Sequence, residues 1–107
     1  MLNSIPCTIK DIQRNNSNTC WELSIKNYKK LSGKTIEIVF NGSIFTEGKV
    51  SNKGNYLNNV PGTDPKFRKA LNEFFRCAQI DRKKTIYGTL IEESKLRYRL
   101  LYNRATK

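Results

Sequence analysis

The arrangement in this chain nearest to a catalytic one is Glu47-Gly48-Lys49, with Glu37 ten residues upstream. It matches the E-x-K half of a metal-dependent nuclease site, where two carboxylates hold Mg²⁺ and a lysine lies near the attacking water. E-x-K also arises by chance in a lysine-rich chain, and a hairpin pairing these segments would set both glutamates among ordinary surface charges. Other chemistry is excluded more firmly. The sequence has no histidine, which removes histidine-based acid–base catalysis, the Ser-His-Asp triad and nearly every common zinc site. It contains no Walker motif, no GxGxxG and no GxSxG. Cys7, Cys20 and Cys77 lie 13 and 57 positions apart with no CxxC, a poor disulfide framework and a poor metal knuckle, so reduced and mostly buried thiols are expected. No catalytic residue, metal or cofactor is therefore expected. A small nuclease built on Glu37, Glu47 and Lys49 is the third-ranked reading.

Binding chemistry is better represented. Arg14, Asn15, Asn16 and Asn18 surround Ser17 in one polar stretch, and Asn52, Lys53, Asn55 and Tyr56 follow Lys49 in another. Asparagine pairs bidentately with adenine in the major groove and arginine with guanine. Asparagine is equally a normal turn residue, and a chain rich in Asn, Lys and Ile is what an AT-rich genome produces. Both readings stay open for these loops.

Charge supports the binding reading. Lys plus Arg number 20 against 9 acidic residues, giving a formal charge of +11 and a pI of about 9.8. Such an excess costs self-repulsion and argues for a polyanionic partner. Residues 1–64 carry 8 basic and 5 acidic groups, net +3, and residues 65–107 carry 12 basic and 4 acidic, net +8. The second half concentrates it on an outer helix face, on Arg82-Lys83-Lys84 and on the Arg97/Arg99 side of the last strand. Arg82, Lys84, Arg97 and Arg99 are the expected phosphate contacts, and the two Asn-rich loops the expected base or groove readers. Tyr56, Tyr87, Tyr98 and Tyr102 are candidates to stack bases, with core packing favoured for the last three. Trp21, Phe40, Phe45, Phe67 and Phe74 fall on faces that read as core.

The elements that must hold these residues follow from periodicity. Ile5, Cys7 and Ile9 alternate, as do Trp21, Leu23 and Ile25, giving a first strand pair around the Arg14–Asn18 loop. Lys26 to Lys34 reads as a basic connector with a Ser32-Gly33 turn. Ile36, Ile38 and Phe40 mark the clearest strand, and Asn41-Gly42 after it signals a type I′ hairpin into Ser43–Val50. Gly48 in that return strand suggests a bulge. A short strand is expected around Asn55–Leu57. Asp64 then serves as N-cap and Pro65 as first helical residue of a helix with Phe67, Ala70, Leu71, Phe74 and Ala78 on one buried stripe, ending near Ala78 or Gln79. Thr85–Glu92 and Lys95–Asn103 form a last strand pair around Glu92–Lys95. The 107 residues fit one domain, residues 1–107. The fold class is α+β and mainly β: a curved antiparallel sheet or open pseudobarrel of about seven strands with one main helix, about 64–78.

The run from Lys49 to Leu100 resembles the B3-like pseudobarrel DNA-binding domains of some restriction endonucleases and plant transcription factors. The likeness lies in a strand, the polar stretch around Gly54-Asn55-Tyr56, the helix Asp64–Cys77 and a hairpin ending Tyr98-Arg99-Leu100, covering about half the chain. Ile80-Asp81 stands where that family usually has Gly-Asp. The resemblance implies duplex DNA held by two arms wrapping into the major groove, here the Arg14–Asn18 loop and the Lys49–Asn59 segment.

The expectation is therefore a non-catalytic nucleic-acid-binding domain, with duplex DNA ahead of RNA. The alternative is a small phage or mobile-element protein that binds and inhibits a nucleic-acid-handling complex. The N-terminal residues lack the basic and apolar regions of a signal peptide, and no apolar stretch approaches the ~20 residues of a membrane span, so a cytoplasmic protein without membrane contact is expected.

Overall fold

The computed structural model describes residues 3–11, 21–58, 64–81 and 83–102. Their strands are β1 (Ser4–Asp11), β2 (Trp21–Ile25), β3 (Thr35–Asn41), β4 (Ile44–Val50), β5 (Tyr56–Asn58), β6 (Ile86–Ser94) and β7 (Arg97–Tyr102), with one helix, α1 (Asp64–Cys77), and a single 3₁₀ turn at Lys29–Leu31. The seven strands close into a barrel in the order β1-β2-β5-β4-β3-β7-β6, rather than staying open. Every pairing is antiparallel except β3 with β7, where Glu37, Val39 and their neighbours run parallel to Arg97–Arg99. Closure removes both free strand edges.

Alternation decides which side chains enter the barrel. Ile5, Cys7 and Ile9 of β1, Trp21, Leu23 and Ile25 of β2, and Ile36, Ile38 and Phe40 of β3 are all buried in one cluster. Leu90 of β6 and Tyr98 and Leu100 of β7 complete it. Strand directions give the barrel two distinct ends. At the helix end, α1 stoppers the opening: Phe74 stacks on Phe40 with ring centroids 5.1 Å apart and meets Tyr102 edge-on at 5.1 Å. Trp21 lies against Phe75 at 4.5 Å, and its indole N–H donates to Asn72 Oδ1 at 2.8 Å. At the opposite, connector end lie the β2–β3 connector, the β4–β5 turn and the β6–β7 turn.

Several local expectations are corrected. The helix stripe is wider than one row: Phe75, next to Phe74, is only 1% exposed because the helix sits inside a ring of strands and meets Trp21 on its flank. The helix stops at Cys77, and a Schellman-type exit follows. Gln79 takes the left-handed conformation (φ 57°), while the Ile80 and Gln79 N–H groups donate to the carbonyls of Phe75 and Arg76. Capping by the Asp64 side chain lies outside the described residues. The β3–β4 hairpin exists, but neither Asn41 nor Gly42 has positive φ, so its turn is not type I′. The register shift between Val39 and Asn41 supplies the local twist instead. Gly48 is not a bulge. It pairs in register with Ile36, and a Cβ there would fall 2.6 Å from Leu57 Cδ2, so it permits close approach of β5. The last turn is Lys95-Leu96 rather than Glu92–Lys95, with Leu96 at φ 61° and its carbonyl accepting from Glu37 N–H at 2.8 Å to begin the parallel seam.

Candidate nucleic-acid interface

The connector end gathers lysines from two stretches of chain that carry no acids. No acidic residue occurs between Glu22 and Glu37 or between Glu47 and Asp64, and these two stretches carry Lys26, Lys29, Lys30, Lys34, Lys49 and Lys53. The fold joins the stretches physically. Ile25 N–H donates to Asn55 O, Tyr28 N–H to Gly54 O and Gly33 N–H to Val50 O, and Val50 N–H donates back to Lys34 O, all between 2.8 and 3.0 Å. Leu31 anchors the connector in the core. Gly54 is required where the two segments touch: its φ is +74°, and a Cβ would sit 2.7 Å from Tyr28 O. All six lysines are exposed, and none makes an ion pair among the described residues. Among the described residues, three carboxylates approach this end, Glu37 on β3, which pairs with Arg97, and Glu92 and Glu93 on β6. Glu92 accepts from Asn3 at 2.8 Å and Glu93 from Arg99 at 2.6 Å.

Among the expected readers, Asn52 and Lys53 are exposed at the β4–β5 turn, Tyr56 is 42% exposed beside Ser24, and Lys49 projects outward from β4. Asn55 is half-buried and holds the turn: Ser51 Oγ donates to its Oδ1 at 2.9 Å while accepting from the backbone N–H groups of Asn55 and Tyr56. A bidentate adenine pair uses that same carbonyl oxygen, one of whose two acceptor positions the Ser51 hydroxyl already takes. Arg14, Asn15, Asn16, Asn18 and Arg82 lie outside the described residues. The strand ends bracketing the first loop, Asp11 and Trp21, are at the helix end. The β4–β5 turn is at the other end, so the two expected arms start from opposite mouths of the barrel.

The expected phosphate contacts on β7 are not bare charges. Arg97 Nε lies 3.2 Å from Glu37 and 3.9 Å from Glu93, and Arg99 Nε lies 2.6 Å from Glu93. Lys84 is half-buried after a turn in which Asp81 accepts from the Lys83 and Lys84 N–H groups. Of the tyrosines, Tyr98 is buried at 1% exposure and its hydroxyl is pushed up to about 12, first by burial and then by Glu92. Tyr102 packs on Phe74, whereas Tyr87 is 59% exposed on the outer face of β6.

The nuclease trio does share a surface. Glu37 and Glu47 are register partners on the outer face, and Lys49 is two residues further along β4. Each carboxylate already faces a cation, Glu37 with Arg97 and Glu47 with Lys66 at 3.8 Å. Among the described residues no group of three potential metal ligands exists. The trio sits on the outer face of the barrel wall, and no described cavity is lined by it.

Phe45 overturns its core assignment. It is 44% exposed, opposite Val39 across the hairpin, with Lys66 Nζ 5.3 Å from its ring centre. It lines an open groove of about 680 Å³ between α1 and the β3–β4 hairpin, together with Ser43, Ile44, Lys66, Lys69, Asn72 and others. On the groove rim Arg76 holds Glu73, and this hydrogen bond keeps the Glu73 carboxyl below the usual range. Cys77 donates to the same carboxylate at 3.4 Å, which pushes its thiol up. Cys7 is buried in the core, and burial raises its thiol to about 12.

Composition placed the charge in the second half of the chain, yet the lysine surface comes from the first. The available signal was the pair of acid-free stretches. No protein-family model, curated protein or solved structure matches the chain. Among the described residues, no helix is long and apolar enough to cross a membrane.

Proposed function

We propose that the protein is a non-catalytic nucleic-acid-binding domain whose partner is duplex DNA ahead of RNA. The observation that carries the reading is the connector end, where six exposed lysines on two acid-free stretches are tied together by main-chain hydrogen bonds. A polyanion gains there from release of its counterions, and the site is held at fixed spacing before binding. Lys26, Lys29, Lys30, Lys34, Lys49 and Lys53 take phosphates, while Asn52 and Tyr56 stand beside them for base or groove contact. Arg97 and Arg99, neutralised by Glu37 and Glu93, play a lesser part. Duplex DNA is placed first on the B3-like resemblance, which the seven-stranded barrel and end helix suit but the opposite placement of the two expected arms does not.

A second reading, attachment to a protein of a nucleic-acid-handling complex, is supported by an uncharged strip on the opposite wall. Pro6, Thr8, Tyr87, Thr89 and Leu101 are register neighbours there, with Tyr87 59% and Leu101 54% exposed. Fluorescence anisotropy with random duplex DNA, single-stranded DNA and RNA at two salt concentrations separates the readings. Salt-sensitive binding led by duplex DNA is expected. Absence of binding to all three at low salt refutes the proposal in favour of the protein partner, and Mg²⁺-dependent cleavage would return Glu37, Glu47 and Lys49 to consideration.

A further inference from the structure

The groove between α1 and the β3–β4 hairpin lies at the other end of the molecule from the lysine surface. We infer that it receives one unpaired base, with its phosphate, from the bound nucleic acid; the inference rests on the nucleic-acid reading and adds a second contact to it.

Three features point to this occupant. The first is a flat apolar wall: Phe45 is 44% exposed, and Ile44 and Ala70 continue the apolar lining beside it. A half-exposed aromatic ring offers a stacking face that every base can use. The second is charge. Lys66, Lys69 and Arg76 recur along α1 at three- and seven-residue steps and border the groove as one stripe, in which Arg76 is paired with Glu73 and the two lysines carry the net charge. Lys69 makes no ion pair among the described residues, and Lys66 reaches Phe45 and Glu47 only at 5.3 and 3.8 Å. Lys69 is available to a phosphate, which Lys66 reaches by giving up its pairing with Glu47. The third is a fixed donor. The Trp21 indole N–H donates to Asn72 Oδ1, so that oxygen must be the acceptor and the Asn72 NH₂ is left as donor at the groove. A base carbonyl or ring nitrogen fits it. The volume of about 680 Å³ admits a nucleotide and leaves room for water.

The test compares a fully paired duplex with the same duplex carrying a single 2-aminopurine bulge. The wild-type protein should bind the bulged duplex roughly tenfold more tightly, the effect of one stacked base, and change its fluorescence. Phe45→Ala should lose the preference and the fluorescence change while keeping its affinity for the paired duplex, and Phe45→Trp should keep both. Asn72→Asp, which still accepts from Trp21 but puts a negative oxygen in place of the donor, should abolish the preference without lowering Tm. Equal binding of both duplexes by the wild type, or an unchanged preference in Phe45→Ala, overturns the inference alone. Failure to bind either duplex overturns it together with the nucleic-acid reading.

Discussion

Replacing Lys26, Lys30, Lys34 and Lys53 by glutamine removes four positive charges from the connector end without touching a described ion pair or the core. Each lysine that meets a B-DNA phosphate contributes about 0.9 to the slope of log K against log salt, so the quadruple variant should flatten that slope by about 3.6. Over a fourfold rise in salt, this is a difference of roughly 150-fold in how much affinity is lost. Arg97→Gln/Arg99→Gln is the contrasting variant. Its charges already neutralise Glu37 and Glu93, so removing them uncovers two carboxylates. That variant should lower affinity modestly at low salt and flatten the slope by well under two units. Anisotropy titrations at five salt concentrations, with circular dichroism to verify folding, provide the comparison. Should the quadruple variant keep the wild-type slope within about half a unit while the double arginine variant loses about 2, the phosphate surface lies on β7 and the assignment of the connector end is wrong.

Other outcomes can be checked on the isolated protein. Phe74→Ala removes a fully buried ring that touches Phe40, Phe75 and Tyr102, and should cost about 3–5 kcal/mol in denaturant unfolding. Gly54→Ala meets both a left-handed φ of +74° and the Tyr28 carbonyl; at about 2 kcal/mol or more it should lower Tm by about 8–16 °C and weaken DNA binding with it. In timed alkylation read by mass spectrometry, native Cys77 should react while buried Cys7 does not, and the Cys77 rate should climb with pH because Glu73 holds its thiol raised. Cys7 and Tyr98 both have folded values raised to about 12, from 9.0 and 10.0. The unfolded chain therefore releases these protons first, so stability should hold below about pH 9 and fall from there toward pH 12 in pH-stepped urea melts; a rise over that interval contradicts the burial of both groups.

The barrel was legible wherever one face of a strand is buried, because alternation then reports the face directly. Ile5/Cys7/Ile9, Trp21/Leu23/Ile25 and Ile36/Ile38/Phe40 entered the core as their spacing predicts, and α1 was within a residue of its expected end. What periodicity cannot carry is which neighbours an outward residue meets. Phe45 and Phe75 are alike in chemistry, yet one lines an open groove and the other presses on Trp21, since only the docking of α1 decides between them. The parallel β3–β7 seam was hidden for the same reason: it pairs segments sixty positions apart and is begun by a turn residue, Leu96, in a conformation that leucine seldom takes. Of the candidate site only the Asn52–Tyr56 turn was legible; charge composition pointed to the second half of the chain, and ion pairing on Arg97 and Arg99 and the Ser51 bond of Asn55 are products of register and turn closure.

Barrel closure also sets when the protein can exist during its own synthesis. β1 finds its second neighbour only in β6, with Ser4 opposite Ile91, and β3 finds its own only in β7. At ordinary ribosomal speeds the interval between the emergence of β5 and that of β7 is on the order of several seconds. Throughout it the apolar faces of β1 to β4 have no lid, and contacts this distant in sequence form slowly once they are possible. A growing chain in that state is sticky by hydrophobicity, and its positive charge climbs from +3 over residues 1–64 as the basic second half emerges. Mutual repulsion between nascent copies then protects them from one another until the seam is drawn shut.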